Sequence, residues 1–218
     1  MKFPVLPAVA ALIAATCASA HAALTVFTSQ SNFLAQLSSA GVDTFDDLAR
    51  SLVTDPLSRT AGTYSYTASV GPRSDFFPGG SGSDVWLASD NRFDTIQFSN
   101  FTSAVRGIGG LFFGSNESGL FTNTPANFTV TATDASGSFA QMLVNPTTTT
   151  FLGFVSTGSL TSLTVWVGSQ GAGTAGVWPT INNLTVGTVA AVPEPETVAL
   201  MLAGLAFTGV VARRRRPI

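Results

Sequence analysis

"ANFTVTATD", residues 126–134, has the pattern of a strand with one apolar face. Phe128, Val130 and Ala132 occupy alternate positions with polar residues between them, the period of a half-buried β-strand. "GTYSYTASVG" (62–71) repeats the pattern, with Tyr64, Tyr66, Ala68 and Val70 on one side. Further apolar segments follow: "DVWLAS" (84–89), "DTIQFS" (94–99), "AVRGIGGLFFG" (104–114), "SFAQMLV" (138–144), "TTFLGFVS" (149–156), "LTSLTVWVG" (160–168) and "VWPTINNLTVG" (177–187). Turns rich in Gly, Ser and Asp separate them. About ten short strands at this spacing predict a mainly β fold, an antiparallel, jelly-roll-like β-sandwich. No internal repeat of fixed period interrupts the pattern.

Upstream of these strands the period changes. Leu24 to Phe27 reads as a short strand. Thr28 or Ser29 caps a short N-terminal helix through Ser39, with Phe33, Leu34 and Leu37 on one face and Gly41 as its stop. Val42 to Phe45 is then the next strand. Gly71 to Asp84, "GPRSDFFPGGSGSD", reads as a long loop.

Both ends of the chain are apolar. "MKFPVLPAVAALIAATCASAHA" (1–22) has one positive charge at Lys2, an apolar run from Val5 to Ala15, and Ala20 and Ala22 in an A-x-A arrangement. These features predict a secretory signal peptide cut after Ala22, with a cut after Ala20 as the alternative. Cys17 lies in a poor setting for lipid attachment. The cut would remove the chain's only lysine, cysteine and histidine: Lys2, Cys17 and His21. The remainder lacks the base of Ser-His-Asp and Cys-His catalysis, the ligands of Cys/His zinc sites, a Schiff-base amine and any disulfide. Between residues 23 and 192, five arginines face ten carboxylates, a net charge of −5, which argues against a nucleic-acid partner.

The other end, "VPEPETVALMLAGLAFTGVVARRRRPI" (192–218), has three parts. Pro193-Glu194-Pro195 forms a stiff, acidic hinge. Val198 to Ala212 is uncharged and, as a helix, spans roughly 22 Å at ~1.5 Å per residue. That is short of the ~30 Å hydrocarbon layer. Arg213, Arg214, Arg215 and Arg216 then hold the cytoplasmic side by the positive-inside rule. The expected order is a signal peptide (1–22), an ectodomain (23–187), a linker with the Pro-Glu-Pro motif (188–196), and an apolar C-terminal transmembrane sorting helix with its arginine cluster (197–218).

This tail resembles the PEP-CTERM sorting signal of Gram-negative bacteria, which is also catalogued as an ice-binding-protein C-terminal domain. The resemblance implies an exosortase-type enzyme as partner and transient residence in the inner membrane. It further implies a final place at the cell surface or outside, in species that secrete polysaccharide. Similar openings, an F-x-x-x-x-x-F segment followed by T-F-D-x-L, occur on other PEP-CTERM ectodomains. Related-looking ectodomains end in an I-D-N-L strand, where this chain has "INNL" (181–184).

The residues leave few routes to chemistry. Glu117 is the only glutamate between the signal peptide and the tail, and no pair of acids stands out for glycoside hydrolysis. A non-enzymatic protein without a cofactor is the expectation. By analogy with related ectodomains, Ca²⁺ held by Asp46, Asp47 and Asn182 is the one metal candidate. Trp86, Trp166, Trp178, Tyr64 and Tyr66 are the rings available to stack on sugar. Trp86 and Trp166 sit in apolar segments and are expected in the core, whereas Trp178, before Pro179, is the expected exposed ring and sugar contact. The run "NPTTTTF" (145–151) lacks the repeat of an ice-binding ladder. A surface or matrix protein with a structural and adhesive domain is the leading expectation. A carbohydrate-binding module for exopolysaccharide and a carboxylate-based glycoside hydrolase are the alternatives.

Overall fold

The computed structural model describes residues 23–102, 104–170, 175–190 and 204–205. One compact unit, Ala22–Ala191, contains the thirteen strands of the described residues. The expected signal peptide, the Pro-Glu-Pro motif and the arginine cluster lie outside the described residues, and the first residue of the expected 188–196 linker, Thr188, is instead the last residue of β13. Of the expected tail helix only Gly204 and Leu205 are described, and they are helical.

The elements in chain order are β1 (Leu24–Phe27), α1 (Gln30–Leu34), β2 (Ser39–Asp43), β3 (Leu57–Ala61), β4 (Tyr64–Ser69), β5 (Gly79–Ser81) and β6 (Asp84–Ala88). After these come β7 (Thr95–Ser99), β8 (Gly107–Ser115), β9 (Asn127–Asp134), β10 (Gly137–Val144), β11 (Phe151–Ser156), β12 (Leu160–Val167) and β13 (Trp178–Thr188). They form two antiparallel sheets. One runs β1-β11-β8-β13-β6-β5, with β2 also on β13; the other runs β10-β9-β12-β7-β4-β3.

A single apolar cluster joins the sheets. Tyr66, Phe98, Phe128, Val130 and Val165 come from the six-stranded sheet, and Leu87, Ile108, Phe112, Phe154 and Ile181 from the seven-stranded one. The strand period of two places these residues on the inner faces. Burying an aromatic or aliphatic side chain is worth about 1.5–3 kcal/mol, and eight phenylalanines are among the fully buried residues. The core therefore needs no covalent staple.

The outer faces differ. The seven-stranded sheet is covered: Phe33 of α1 packs with Phe27 and Phe151, while Trp86, Phe113 and Phe121 stack edge-to-face. Both faces of β8 are consequently buried along most of its length. The six-stranded sheet leaves its outer face open.

Several sequence expectations are corrected. The helix ends at Leu34, well short of Ser39, because Ser39–Asp43 pairs with β13 from Thr188 to Leu184. Ser29 is its cap, its hydroxyl accepting from Asn32 N at 3.4 Å. Leu34 is 40% exposed, so it is not on the buried face. Gly41 stops nothing: it lies inside β2, where the Ala61 carbonyl occupies the space of a side chain. Phe45 falls outside the strand, with φ 62°, yet is fully buried. The expected 71–84 loop contains β5 and the buried Phe76, which bridges to Val53 and Ser89.

β13 changes partners part-way. It pairs with β6 at Thr180 and Ile181, then with β2 from Leu184 onward, and its register on β8 shifts between Asn182 and Thr185. Asn183 takes φ 51° at the change, and its N–H donates to Asn182 Oδ1 at 2.7 Å. Asparagine suits this left-handed position because its short polar side chain bonds locally.

Candidate functional site

The structure separates the five rings available to stack on sugar. Trp86 is buried, its indole N–H donating to Gly119 O at 3.0 Å. Trp166 is 38% exposed, contrary to expectation. Leu163, Val165 and Val167 form the buried face of β12, so Trp166 points outward with Thr164. Tyr64 and Tyr66 are core residues. Trp178 is half-buried at the start of β13.

Trp178 is held from several sides. Its indole N–H donates to Asp90 O at 3.1 Å, across 88 residues of sequence. Gln170 clamps the preceding residue, accepting from Val177 N and donating to Val177 O, both at 2.7 Å. A side chain at Gly176 would lie 2.6 Å from the ring's Cζ3, so glycine lets backbone back the indole.

The held ring lines a cleft of about 210 Å³ with Phe77, Asn116, Asp90 and Glu117. Glu117 sits in a turn fixed by Asn116, whose Oδ1 accepts from Ser118 N and Leu120 N, both at 3.0 Å. Gly119 N also donates to Asn116 O at 2.9 Å. Phe77 is half-buried, while Asp90 and Glu117 are exposed. Asp90 is tied through its backbone, with its N–H on Asp75 O at 2.9 Å. The result is an opening lined by two aromatic residues and two acidic ones, with no basic residue among its described lining. Trp178 was the expected exposed ring, but it is half-buried and Trp166 is the more open one; Asp90, which bonds the Trp178 indole, had no signal in the sequence. Glu117 stood out only as the one glutamate of this region.

The calcium candidates each have a protein partner. Asp47 forms an ion pair with Arg59: Nη2 donates to Oδ1 at 2.6 Å and Nη1 to Oδ2 at 2.8 Å. These bonds hold the Asp47 carboxyl below its ordinary value. Asp46 Oδ1 accepts from Val85 N at 2.9 Å, and Asn182 Nδ2 donates to Asp84 Oδ1 at 2.8 Å. Among the described residues, no three His, Cys, Asp or Glu side chains are grouped to hold a metal.

Arg59 also reaches the core. Its Nη2 and Nε donate to the two oxygens of buried Asp43 at 2.6 and 2.9 Å, and Tyr66 OH donates to Asp43 Oδ2 at 2.6 Å. Burial, with the Asp43 charge beside it, pushes the Tyr66 phenol well up, while its carboxylate partners raise Arg59. The network keeps both groups in their ordinary charge states and makes it a structural tie.

The open face of the six-stranded sheet is the second surface. Ser58, Thr67, Ser99, Ser162, Thr133 and Ser138 stand opposite one another, one from each strand. At about 4.8 Å per strand this hydroxyl row is roughly 24 Å long. Thr60, Ser65, Gln97, Thr131 and Thr164 extend it, and no strand residue on this face is charged.

Beyond the sandwich, residues 191–216 match the family model of the PEP-CTERM protein-sorting motif. The chain carries a PEP-CTERM sorting signal. The matched PEP-CTERM stretch includes Pro193, Glu194, Pro195 and the four arginines from Arg213 to Arg216. A PEP-CTERM signal marks a protein for export through membrane-anchored processing by an exosortase-type enzyme. No curated protein matches the chain. Among the described residues, no helix is long and apolar enough to cross a membrane.

Proposed function

We propose that the chain is a surface or extracellular-matrix protein, cut near Pro193-Glu194-Pro195 during export, with a structural and adhesive sandwich. The observation that carries this reading is the PEP-CTERM motif at 191–216. The open hydroxyl face supports adhesion, because an uncharged surface rich in donors and acceptors suits hydrated neutral polymer. Exopolysaccharide is the partner that the sorting signal suggests. The sandwich, net negative and free of lysine, suits no nucleic acid.

Intact mass spectrometry of the exported protein tests the reading. The exported form is expected to end near residue 193 and to lack Arg213–Arg216. A form that retains the arginines replaces sorting with a plain C-terminal anchor. Changing all four arginines to Ser is expected to impair membrane retention and processing.

The Trp178 cleft favours a second reading, a carbohydrate-binding module. It is a binding site in this reading and not a catalytic one. Both carboxylates face water, whereas the general acid of a glycoside hydrolase uses a carboxyl sheltered from it. Release of reducing ends from matrix polysaccharide by the protein would restore the hydrolase alternative.

A further inference from the structure

We propose that the Trp178 cleft binds one pyranose ring of a non-acidic saccharide, and binds an amino sugar more tightly than a neutral one. The proposal rests on the carbohydrate-binding reading of the cleft and is independent of how the tail is processed.

Three observations select this ligand. The cleft, about 210 Å³, is smaller than drug-sized sites of ~300–1,000 Å³ and suits a single ring. Its apolar parts are the rings of Trp178 and Phe77, which accept the C–H face of a pyranose. Trp178 is already fixed through Asp90, Val177 and Gly176, so stacking costs little ordering. Its N–H is taken by Asp90 O, which leaves the ring face as its contribution.

The polar parts set the charge of the ligand. Asp90 and Glu117 offer carboxylate oxygens as strong acceptors for sugar hydroxyls. Two acidic residues and no basic one among the described lining disfavour a uronate or sulfated sugar, and the net charge of −5 over residues 23–192 adds to that repulsion. The same groups attract a protonated amine, which can also lie against an aromatic face. Discrimination against acidic sugars is therefore built into the cleft by like charge.

Calorimetric titration of the full chain in mild detergent tests the proposal, with cellotriose, the trimer of glucosamine and trigalacturonate as probes. The glucosamine trimer is expected to bind most tightly, cellotriose more weakly, and trigalacturonate not at all. Trp178→Ala is expected to weaken both binders at least tenfold, and Trp178→Phe to retain them within a few fold. Glu117→Gln, at an exposed position, is expected to shrink the preference for the glucosamine trimer at least threefold while cellotriose still binds.

The proposal is overturned if neither non-acidic trimer binds, if trigalacturonate binds as well as they do, or if Trp178→Ala leaves binding intact. Should Trp178→Ala fail to fold, the Asp90→Asn, Glu117→Gln double variant decides. An unchanged preference among the three probes in that variant also overturns the proposal. The mass of the exported form is a separate readout, so failure of either test leaves the other standing.

Discussion

At the scale of single residues, Arg59 has the most to lose. It faces inward from β3, where a hydrophobic residue would be the default, because buried Asp43 lies opposite. Removing it leaves Asp43, among the described residues, with Tyr66 OH and Phe45 N as partners. Arg59→Ala is expected to cost about 2–4 kcal/mol, since a buried charge loses its counter-ion. Urea unfolding measures this, and a loss under about 0.5 kcal/mol would refute the assigned role. Asp47 supplies a control with a definite sign. Arg59 lowers its folded pKa, so its contribution is present above the unfolded value of about 3.9 and is lost as pH falls through the folded value. Without Arg59, the part of the acid sensitivity that Asp47 contributes should shrink.

At the scale of elements, β13 joins the seven-stranded sheet together. It can serve β6 and β2 in turn only because Asn182 and Asn183 break its register on β8. The left-handed φ of 51° at Asn183 is the conformational requirement. Asn183→Val is expected to destabilise by about 1–3 kcal/mol, because a β-branched side chain strains that region. Asn183→Gly should cost much less, since glycine adopts it freely. Equal thermal shifts for the two variants would mean that the backbone at 183 is not what matters. Elements also show where sequence patterns stop being informative. β4, β9 and β12 were legible because each has one buried face and one solvated face. β5, Gly79–Ser81, has no such pattern; pairing with β6 alone makes it a strand. β2 was misplaced because Gly41, which would end a helix, here permits close approach to Ala61.

At the scale of the whole molecule, the sandwich should stand alone. Its shared aromatic core lies within 23–190, and that stretch contains no cysteine. Expressed in a reducing cytoplasm, residues 23–190 are expected to give a soluble β-protein that melts cooperatively, with the same midpoint in EDTA. A coil-like circular dichroism spectrum would refute autonomous folding. A lower midpoint in EDTA would revive an ion at Asp46, Asp47 and Asn182, against their present protein partners. The division of labour between the two sheets also belongs to this scale. Rings and α1 cover the outside of one, while hydroxyls leave the other open.

Alternation and short-range chemistry were in the sequence by themselves. The β character, the shared apolar faces and the sorting tail all follow from residues near one another in the chain. Only the tertiary structure decided which strands became neighbours, which way Trp166 faced, and that Asp90 and Glu117 would meet Trp178. The physical reason is that periodicity records which side of a strand is buried, but not what buries it. An exposed acidic residue on a turn has no local signature of its spatial neighbours until folding brings a ring alongside it.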